Sequence, residues 1–129
     1  MPEFRIQKRT QLTFDEAVAR LPDVLKAEGF GVLTQIDVQA TLKEKIGADF
    51  RRYRIFGACN PKLAFRALST ELEVGVMMPC NVVVFEGDDG KAVVSAIDPM
   101  ATIASTHPGL NVLAGEVKFA LQRALSAIP

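Results

Sequence analysis

The residues of this sequence best suited to chemistry are its two cysteines and the asparagine that follows each of them. Cys59-Asn60 lies in GACNP and Cys80-Asn81 lies in PCNVVV, and the 129 residues contain no other cysteine. A thiolate can act as a nucleophile, a redox group or a ligand for a soft metal, and an asparagine amide can orient a bound molecule. The two Cys-Asn motifs therefore indicate where a functional site is to be expected.

The two thiols allow three interpretations. In the first, they lie beside a site that binds a small ligand or a metal ion. In the second, they are the pair of a thiol-dependent redox protein, with Cys59 as the reactive thiolate at a helix N-terminus and Cys80 as its partner. In the third, they are inert, buried side chains of a structural subunit, which is common for free cysteine. The sequence has no CxxC, so a zinc knuckle is not indicated.

Four further side chains are candidate ligand-binding residues, and each has a structural alternative. Asn60 can cap a helix, and Asn81 can satisfy backbone groups where a strand starts. Asp37 and Asp98 each follow a predicted strand, where helix capping explains them. An acid pair of Asp37 and Asp98 could instead bind a cation or act as a general base.

A metal site needs more ligands than two thiols. His107, the single histidine, is a candidate third ligand beside Cys59 and Cys80, since imidazole and thiolate together suit zinc or copper. It lies in the loop-like stretch THPG, where a histidine is usually just solvated. The sequence therefore names no metal and no cofactor.

Established catalytic signatures are missing from the sequence. It has no glycine-rich phosphate loop, no HExxH, no GxSxG and no dinucleotide fingerprint. The sequence has a single histidine, so few residues are available to form a hydrolytic triad. We therefore expect a binding protein rather than an enzyme.

Charge and hydropathy limit the partners of the protein. Fifteen basic and fifteen acidic residues give no net charge, so no overall field attracts nucleic acid or anionic lipid. Residues 51–54 (RRYR) mix basic and aromatic side chains, but a solvated edge strand is the simpler interpretation. No apolar run approaches the roughly 18 residues that span a bilayer. We expect a cytoplasmic protein with reduced thiols, binding neither nucleic acid nor membrane.

Hydrophobic periodicity predicts a single α+β domain over residues 1–129. The predicted strands are residues 3–10, 30–36, 52–58, 81–86 and 91–98. The predicted helices begin at Thr13, Asp37, Asn60-Pro61 and Asn111, the last running over about residues 111–127, with a helical turn after Asp98. Pro22 should kink the first helix or divide it into two short ones, because proline removes an amide and clashes with the preceding turn.

The strand at residues 81–86 has apolar side chains on both faces, from Val82 to Phe85. Both faces should therefore be covered. The predicted helices are enough for one face only, so the other requires a folded-back helix, a small bound ligand or a partner subunit. We expect a homodimer, since most soluble oligomers are symmetric homo-oligomers.

Four segments carry a family resemblance: GFGVLTQIDVQATLKEKIG, YRIFGACNPKLAFRAL, VGVMMPCNVVVFE and VVSAIDPM, over about residues 29–100. In motifs, order and spacing they resemble the bacterial and archaeal family called domain of unknown function 302. The resemblance implies an α+β fold similar to the TATA-box-binding-protein-like group, a curved antiparallel sheet packed by helices, and dimers. It implies no activity, and fold similarity does not carry DNA binding across.

Overall fold

The computed structural model of the chain describes residues 3–129. Its strands are β1 (Arg5–Arg9), β2 (Gly31–Asp37), β3 (Tyr53–Cys59), β4 (Cys80–Glu86) and β5 (Ala92–Ile97). Its α-helices are α1 (Phe14–Ala27), α2 (Val38–Ile46), α3 (Pro61–Thr70) and α4 (Asn111–Ser126). Short 3₁₀ turns occupy Leu72–Met77, Ile103–Ser105 and Pro108–Leu110. The strand and helix bounds lie within a few residues of the predicted ones, whereas the turns at Leu72–Met77 and Pro108–Leu110 were not predicted.

The strands form one antiparallel sheet in the order β1-β5-β4-β3-β2, with β1 and β2 at its edges. Paired residues make rows across the sheet. One row consists of Gln7, Ser95, Val83, Ile55 and Ile36. The adjacent row, which points to the other face, consists of Ile6, Ala96, Val82, Phe56 and Gln35. An antiparallel sheet packed by helices confirms the α+β class.

Helix α1 begins where it was predicted to begin, at the N-cap Thr13, which forms a capping box with Glu16. Thr13 Oγ1 accepts a hydrogen bond from the Glu16 amide at 3.2 Å, and Glu16 Oε1 accepts one from the Thr13 amide at 2.8 Å. The helix continues through Pro22 as one element, so the prediction of two short helices is wrong. Leu21 and Leu25 on either side of Pro22 are fully buried. Their burial outweighs the single backbone hydrogen bond that the proline removes.

One face of the sheet is covered and the other is open. Helices α1 and α4 supply buried side chains such as Leu21 and Leu121 against Val82 and Val84 of β4, and all four are inaccessible to solvent. The opposite face of β4 and β5 borders a groove that is open to solvent. Strand β4 has apolar side chains on both faces, and helices cover only one of these faces.

The C-terminal helix matches its prediction. Helix α4 begins at Asn111 and buries Leu113, Val117 and Leu121 along one side. None of the helices within residues 3–129 combines the length and the apolar character needed to cross a membrane.

Candidate functional site

Cys59 and Cys80 lie at the same end of the sheet and line one small cavity. Ala58 of β3 is paired with Cys80 of β4, so Cys59 is the next residue along β3. The cavity measures about 30 Å³, and most of its other lining residues are apolar. Neither thiol is in a disulfide. The fold therefore brings the two cysteine residues to one cavity.

Burial distinguishes the two thiols. Cys80 is only 7% exposed, whereas Cys59 is half-buried. Burial raises the pKa of Cys80 from 9.0 to about 11, and repulsion from Cys59 adds to the shift. Cys80 is therefore a neutral thiol at physiological pH, unlike the low-pKa thiolates of redox proteins.

Asn60 has the capping role that its position predicted. It is the N-cap of α3, its Oδ1 accepts a hydrogen bond from the Leu63 amide at 3.3 Å, and Pro61 is the first helical residue. Asn60 also lines the cavity. A Cβ on Gly29, whose φ is +86°, would lie 2.9 Å from Asn60 Nδ2. Glycine at position 29 therefore leaves space for the capping side chain.

Asn81 lies on the other side of the sheet from Cys80. Successive residues of a strand point to opposite faces, so Cys80 faces the helices and Asn81 faces the groove. The Asn81 side chain is exposed there. The two Cys-Asn motifs are therefore divided between two sites: Cys59, Asn60 and Cys80 line the cavity, and Asn81 lines the groove.

The groove on the open face has an aromatic wall and a polar rim. Its volume is about 450 Å³. The rings of Tyr53 and Phe85 stack with centroids 5.5 Å apart and an interplanar angle of 9°. Gln7 Nε2 donates to Ser95 Oγ at 3.4 Å, and Arg5 lies on the same edge strand as Gln7. This arrangement suits a small molecule with a flat apolar body and polar substituents.

The glycine of GACNP has a steric role at the edge of the groove. Gly57 is paired with Asn81, and a Cβ at Gly57 would collide with Thr34 Oγ1 and lie 2.8 Å from Pro79 Cγ. Thr34 can rotate away, but the proline ring cannot. Close packing of Gly57 against β2 and against the proline that precedes β4 therefore excludes a side chain at position 57.

Replacing Gly57 with alanine is expected to lower the free energy of unfolding by about 1–3 kcal/mol, the usual cost of overpacking. Gly31→Ala is the matched control, because Gly31 lies in the neighbouring strand β2 with no atom within 4 Å of its Cβ position. That control should change stability by less than about 0.5 kcal/mol. Urea denaturation of both variants measures the difference, and equal midpoints would contradict the steric role.

Asp37 lies far from both Cys-Asn motifs. Strand β2 runs from Gly31, paired with Cys59, to Asp37, a span of roughly 20 Å at about 3.3 Å per residue. Asp37 Oδ1 accepts a hydrogen bond from the Ala40 amide at 2.9 Å as the N-cap of α2, and Oδ2 lies 3.6 Å from Arg54 Nη2. Capping therefore accounts for this residue.

Asp98 is buried at the cysteine end of the sheet, where it holds a turn and a helix together. Its Oδ1 accepts a hydrogen bond from the Met100 amide at 2.9 Å, and its Oδ2 lies 2.9 Å from Lys118 Nζ of α4. Asp37 lies at the other end of the sheet, so the predicted acid pair of Asp37 and Asp98 is not formed. Both oxygen atoms of Asp98 already have partners within the chain.

His107 lies beside the other end of α3 from Cys59. Its Nδ1 accepts a hydrogen bond from the Gly109 amide at 2.8 Å, and a Cβ on Gly109 would lie 3.3 Å from Thr70 Cγ2. Thr70 ends α3, a helix of ten residues and therefore about 15 Å long. Across residues 3–129, no three His, Cys, Asp or Glu side chains are grouped as for a metal ion. The candidate set of Cys59, Cys80 and His107 is not assembled.

The arginines of residues 51–54 each contact a carboxylate. The pairs are Arg51 with Asp88 at 3.2 Å, Arg52 with Asp15, and Arg54 with Asp37 at 3.6 Å. The positive charge of this stretch is therefore compensated locally.

Other residues at these two sites could be predicted from the sequence only in part. Met78 lines the cavity with the two cysteines, but it lies in the connection before β4, where no periodicity applies. The alternation of β1 correctly predicts that Arg5 and Gln7 share a face. Tyr53 and Phe85 stack because β3 pairs with β4. The pattern of a single strand does not determine which strands pair.

Comparison with known proteins identifies the family. Residues 6–128 match the family described as Domain of unknown function DUF302. The crystal structure of an uncharacterized conserved DUF302 protein from Bacillus stearothermophilus is similar, with 32% sequence identity and a TM-score of 0.90. That similarity covers 98% of this chain and 99% of the other. No curated protein matches the sequence. The family match extends well beyond residues 29–100 at both ends. The chain belongs to the DUF302 family.

Proposed function

We propose that this protein binds a small, flat and largely apolar molecule carrying a negative charge, in the groove on the open face of β4 and β5. One observation carries the proposal: a groove of about 450 Å³ combines a stacked pair of rings with an arginine and contains no carboxylate. Small-molecule sites usually measure roughly 300–1,000 Å³. The groove therefore has the size and the lining of a ligand site.

The apolar part of the groove favours a flat ligand. Tyr53 and Phe85 present stacked rings, and Val83 and Ile97 add aliphatic surface beside them. An aromatic ligand can continue this stack, and ring pairs contribute about 0.5–1.5 kcal/mol beyond the area that they bury.

The polar part of the groove favours an anion. Arg5 lines it and forms no ion pair with any carboxylate of residues 3–129. Gln7 and Asn81 add amide donors to the lining. A guanidinium binds a carboxylate through two parallel hydrogen bonds, which fixes the orientation of the ligand. None of the residues lining the groove is a histidine, cysteine, aspartate or glutamate, so the proposal is binding without catalysis.

The proposal is tested with 2-naphthoate as the anionic probe and 2-naphthylmethanol as its neutral counterpart, by isothermal titration calorimetry. The wild type should prefer naphthoate by about tenfold, because a hydrogen bond to a charged group contributes about 1.5–3 kcal/mol. Arg5→Gln should remove that preference and retain binding of the neutral compound. Equal affinities of the wild type for the two compounds would contradict the role of Arg5.

A matched pair of variants tests the location. Val83→Asp places a carboxylate in the groove and should abolish naphthoate binding through charge repulsion and lost apolar contact. Ile36→Asp is the control, because Ile36 lies in the same row of the sheet, is 48% exposed and is outside the groove. Equal losses in the two variants would contradict the groove as the site.

A second candidate for the same face is the interface of a homodimer. The observation that favours it is the apolar row of Val83, Ile55 and Ile36, which continues beyond the groove to the edge of the sheet. Multi-angle light scattering separates the two candidates. A dimer through this face predicts twice the chain mass for the wild type and the chain mass for both Ile36→Asp and Val83→Asp. A ligand site predicts the same mass for all three proteins.

A further inference from the structure

The floor of the groove contains a buried serine. Ser95 of β5 is 7% exposed and lines the groove. Its Oγ accepts a long hydrogen bond of 3.4 Å from Gln7 Nε2, and the hydrogen bonds within residues 3–129 leave its own hydrogen without an acceptor. A hydroxyl has one donor hydrogen, and accepting from the Gln7 amide directs that hydrogen away from it. Ser95 can therefore donate a hydrogen bond to a molecule in the groove.

The register of the strands places Ser95 between the two ends of the groove. Residues that share this face recur every second position, so their rows lie about 6.8 Å apart, and neighbouring strands are about 4.8 Å apart. Tyr53 and Phe85 lie in one row, Ser95 in the next and Arg5 in the third. Phe85, Ser95 and Arg5 belong to three successive strands, β4, β5 and β1. These three positions therefore form a diagonal across the sheet, with roughly 8 Å between successive Cα atoms.

The charged group lies at the opposite end of this diagonal from the stacked rings. Arg5 shares a face with Gln7, two residues along β1, and Gln7 contacts the groove floor at Ser95. Arg5 Cζ lies 5.5 Å from the centroid of the Phe4 ring, which also lines the groove. Along the diagonal, a ligand therefore meets a pair of rings, then one hydroxyl donor, then one cation.

We propose that the ligand is an aroyl alkanoate, with an aromatic ring, a ketone oxygen and a carboxylate in linear order. This inference rests on the function proposed above and adds the class of the ligand. The aromatic ring continues the stack of Tyr53 and Phe85, and the carboxylate binds Arg5. Between them, Ser95 donates to the ketone oxygen.

The middle position requires an acceptor. A hydroxyl that already accepts a hydrogen bond, as Ser95 does from Gln7, is polarised and becomes a better donor. A hydrocarbon chain at this position would cover the donor without giving it a partner, which costs free energy. An oxygen atom in the ligand satisfies the donor, so the floor of the groove selects a ketone over a methylene group.

The test compares 4-(2-naphthyl)-4-oxobutanoate with 4-(2-naphthyl)butanoate, which lacks the ketone oxygen, by isothermal titration calorimetry. Both compounds are anions, so the ratio of their affinities reports the middle position rather than Arg5. The ratio in favour of the oxo acid should be about fivefold larger for the wild type than for Ser95→Ala, the effect of one neutral hydrogen bond. Ser69→Ala is the matched control and should keep the wild-type ratio, because Ser69 is exposed on α3 and outside the groove.

Infrared spectroscopy gives a readout that a merely structural role of Ser95 would not change. A hydrogen bond lowers the stretching frequency of a ketone. The ¹³C-labelled ketone of the bound oxo acid should therefore absorb at a lower frequency in the wild type than in Ser95→Ala. Far-UV circular dichroism establishes that each variant is folded.

The outcomes separate this inference from the function on which it rests. If Arg5→Gln weakens both acids but the wild type and Ser95→Ala give equal ratios, the inference about Ser95 is overturned and the groove remains the binding site. An unchanged ketone frequency in Ser95→Ala would overturn it in the same way. If the wild type binds neither acid, both proposals are wrong.

Discussion

Replacing Asp98 with alanine is expected to lower the free energy of unfolding by about 3 kcal/mol, the largest stability effect that we predict for a single polar side chain. The Asp98 side chain is 8% exposed and has two partners, the Met100 amide and Lys118 Nζ, each at 2.9 Å. Removing the carboxylate leaves the Met100 amide, whose hydrogen bond is partly buried, without its acceptor and the Lys118 ammonium group without its counter-ion. This loss of stability lies at the lower end of the range for breaking a buried ion pair, because Lys118 is 33% exposed and can turn toward solvent.

Two further variants separate these contributions. Asp98→Asn keeps an acceptor for the Met100 amide, so its loss of stability should be smaller than that of Asp98→Ala. Adding Lys118→Met to Asp98→Ala should restore part of the loss, since no unpaired charge remains. Urea denaturation of the wild type, Asp98→Ala, Asp98→Asn, Lys118→Met alone and the double variant gives the five free energies that the comparison needs. Strict additivity in the double variant, or a loss below about 1 kcal/mol in Asp98→Ala, would refute the account of this ion pair.

Raising the pH from about 8 to 12 is expected to destabilise the protein by nearly 3 kcal/mol through Cys80 alone. In the unfolded chain this thiol ionises near pH 9.0, whereas burial and the neighbouring Cys59 hold its folded pKa at about 11. Between these values the unfolded state loses its proton and the folded state does not. The stabilising contribution is therefore complete below pH 9 and is lost as the pH rises through 11. The folded and unfolded pKa values of Cys80 differ by about two units, and each unit corresponds to about 1.36 kcal/mol of stability.

Cys80→Ala isolates this contribution. All other ionisable groups are the same in both proteins, so the difference between the two stability–pH curves reports Cys80. That difference should change by about 2–3 kcal/mol between pH 8 and 12, with denaturation followed in the presence of a chelator and a reductant. Cys59→Ser keeps the buried thiol and should keep most of the pH dependence. Parallel curves for the wild type and Cys80→Ala would show that the thiol is not buried as described.

The local features of the fold could be predicted from the sequence because they depend on neighbouring residues. The Thr13–Glu16 capping box and the caps at Asp37 and Asn60 each involve a side chain and an amide three residues away. The hairpin between β4 and β5 follows from glycines and aspartates between two apolar runs. Of the two outcomes predicted at Pro22, the division into two helices is wrong because tertiary burial around the proline, which local rules omit, decides whether the helix continues.

The candidate sites depend on contacts that no local pattern contains. Alternation along a strand already implies that Cys80 and Asn81 face opposite sides, but which side the helices cover is set by tertiary packing. The place of His107 depends on the path of the chain after α3. Met78 reaches the cavity through a connection without periodicity. The division into a cavity and a groove therefore required the structure.

The most direct test of the central claim is a two-dimensional NMR titration of the ¹⁵N-labelled wild type with 2-naphthoate. A ligand in the groove should shift the amide signals of the residues that line it: Arg5, Gln7, Tyr53, Asn81, Val83, Phe85, Ser95, Ala96 and Ile97. The amides around the cavity, such as those of Leu63 and Ala67, should not move. Saturable shifts confined to the groove are the predicted result. No shifts at millimolar probe, or shifts centred on the cavity, would contradict the proposed site.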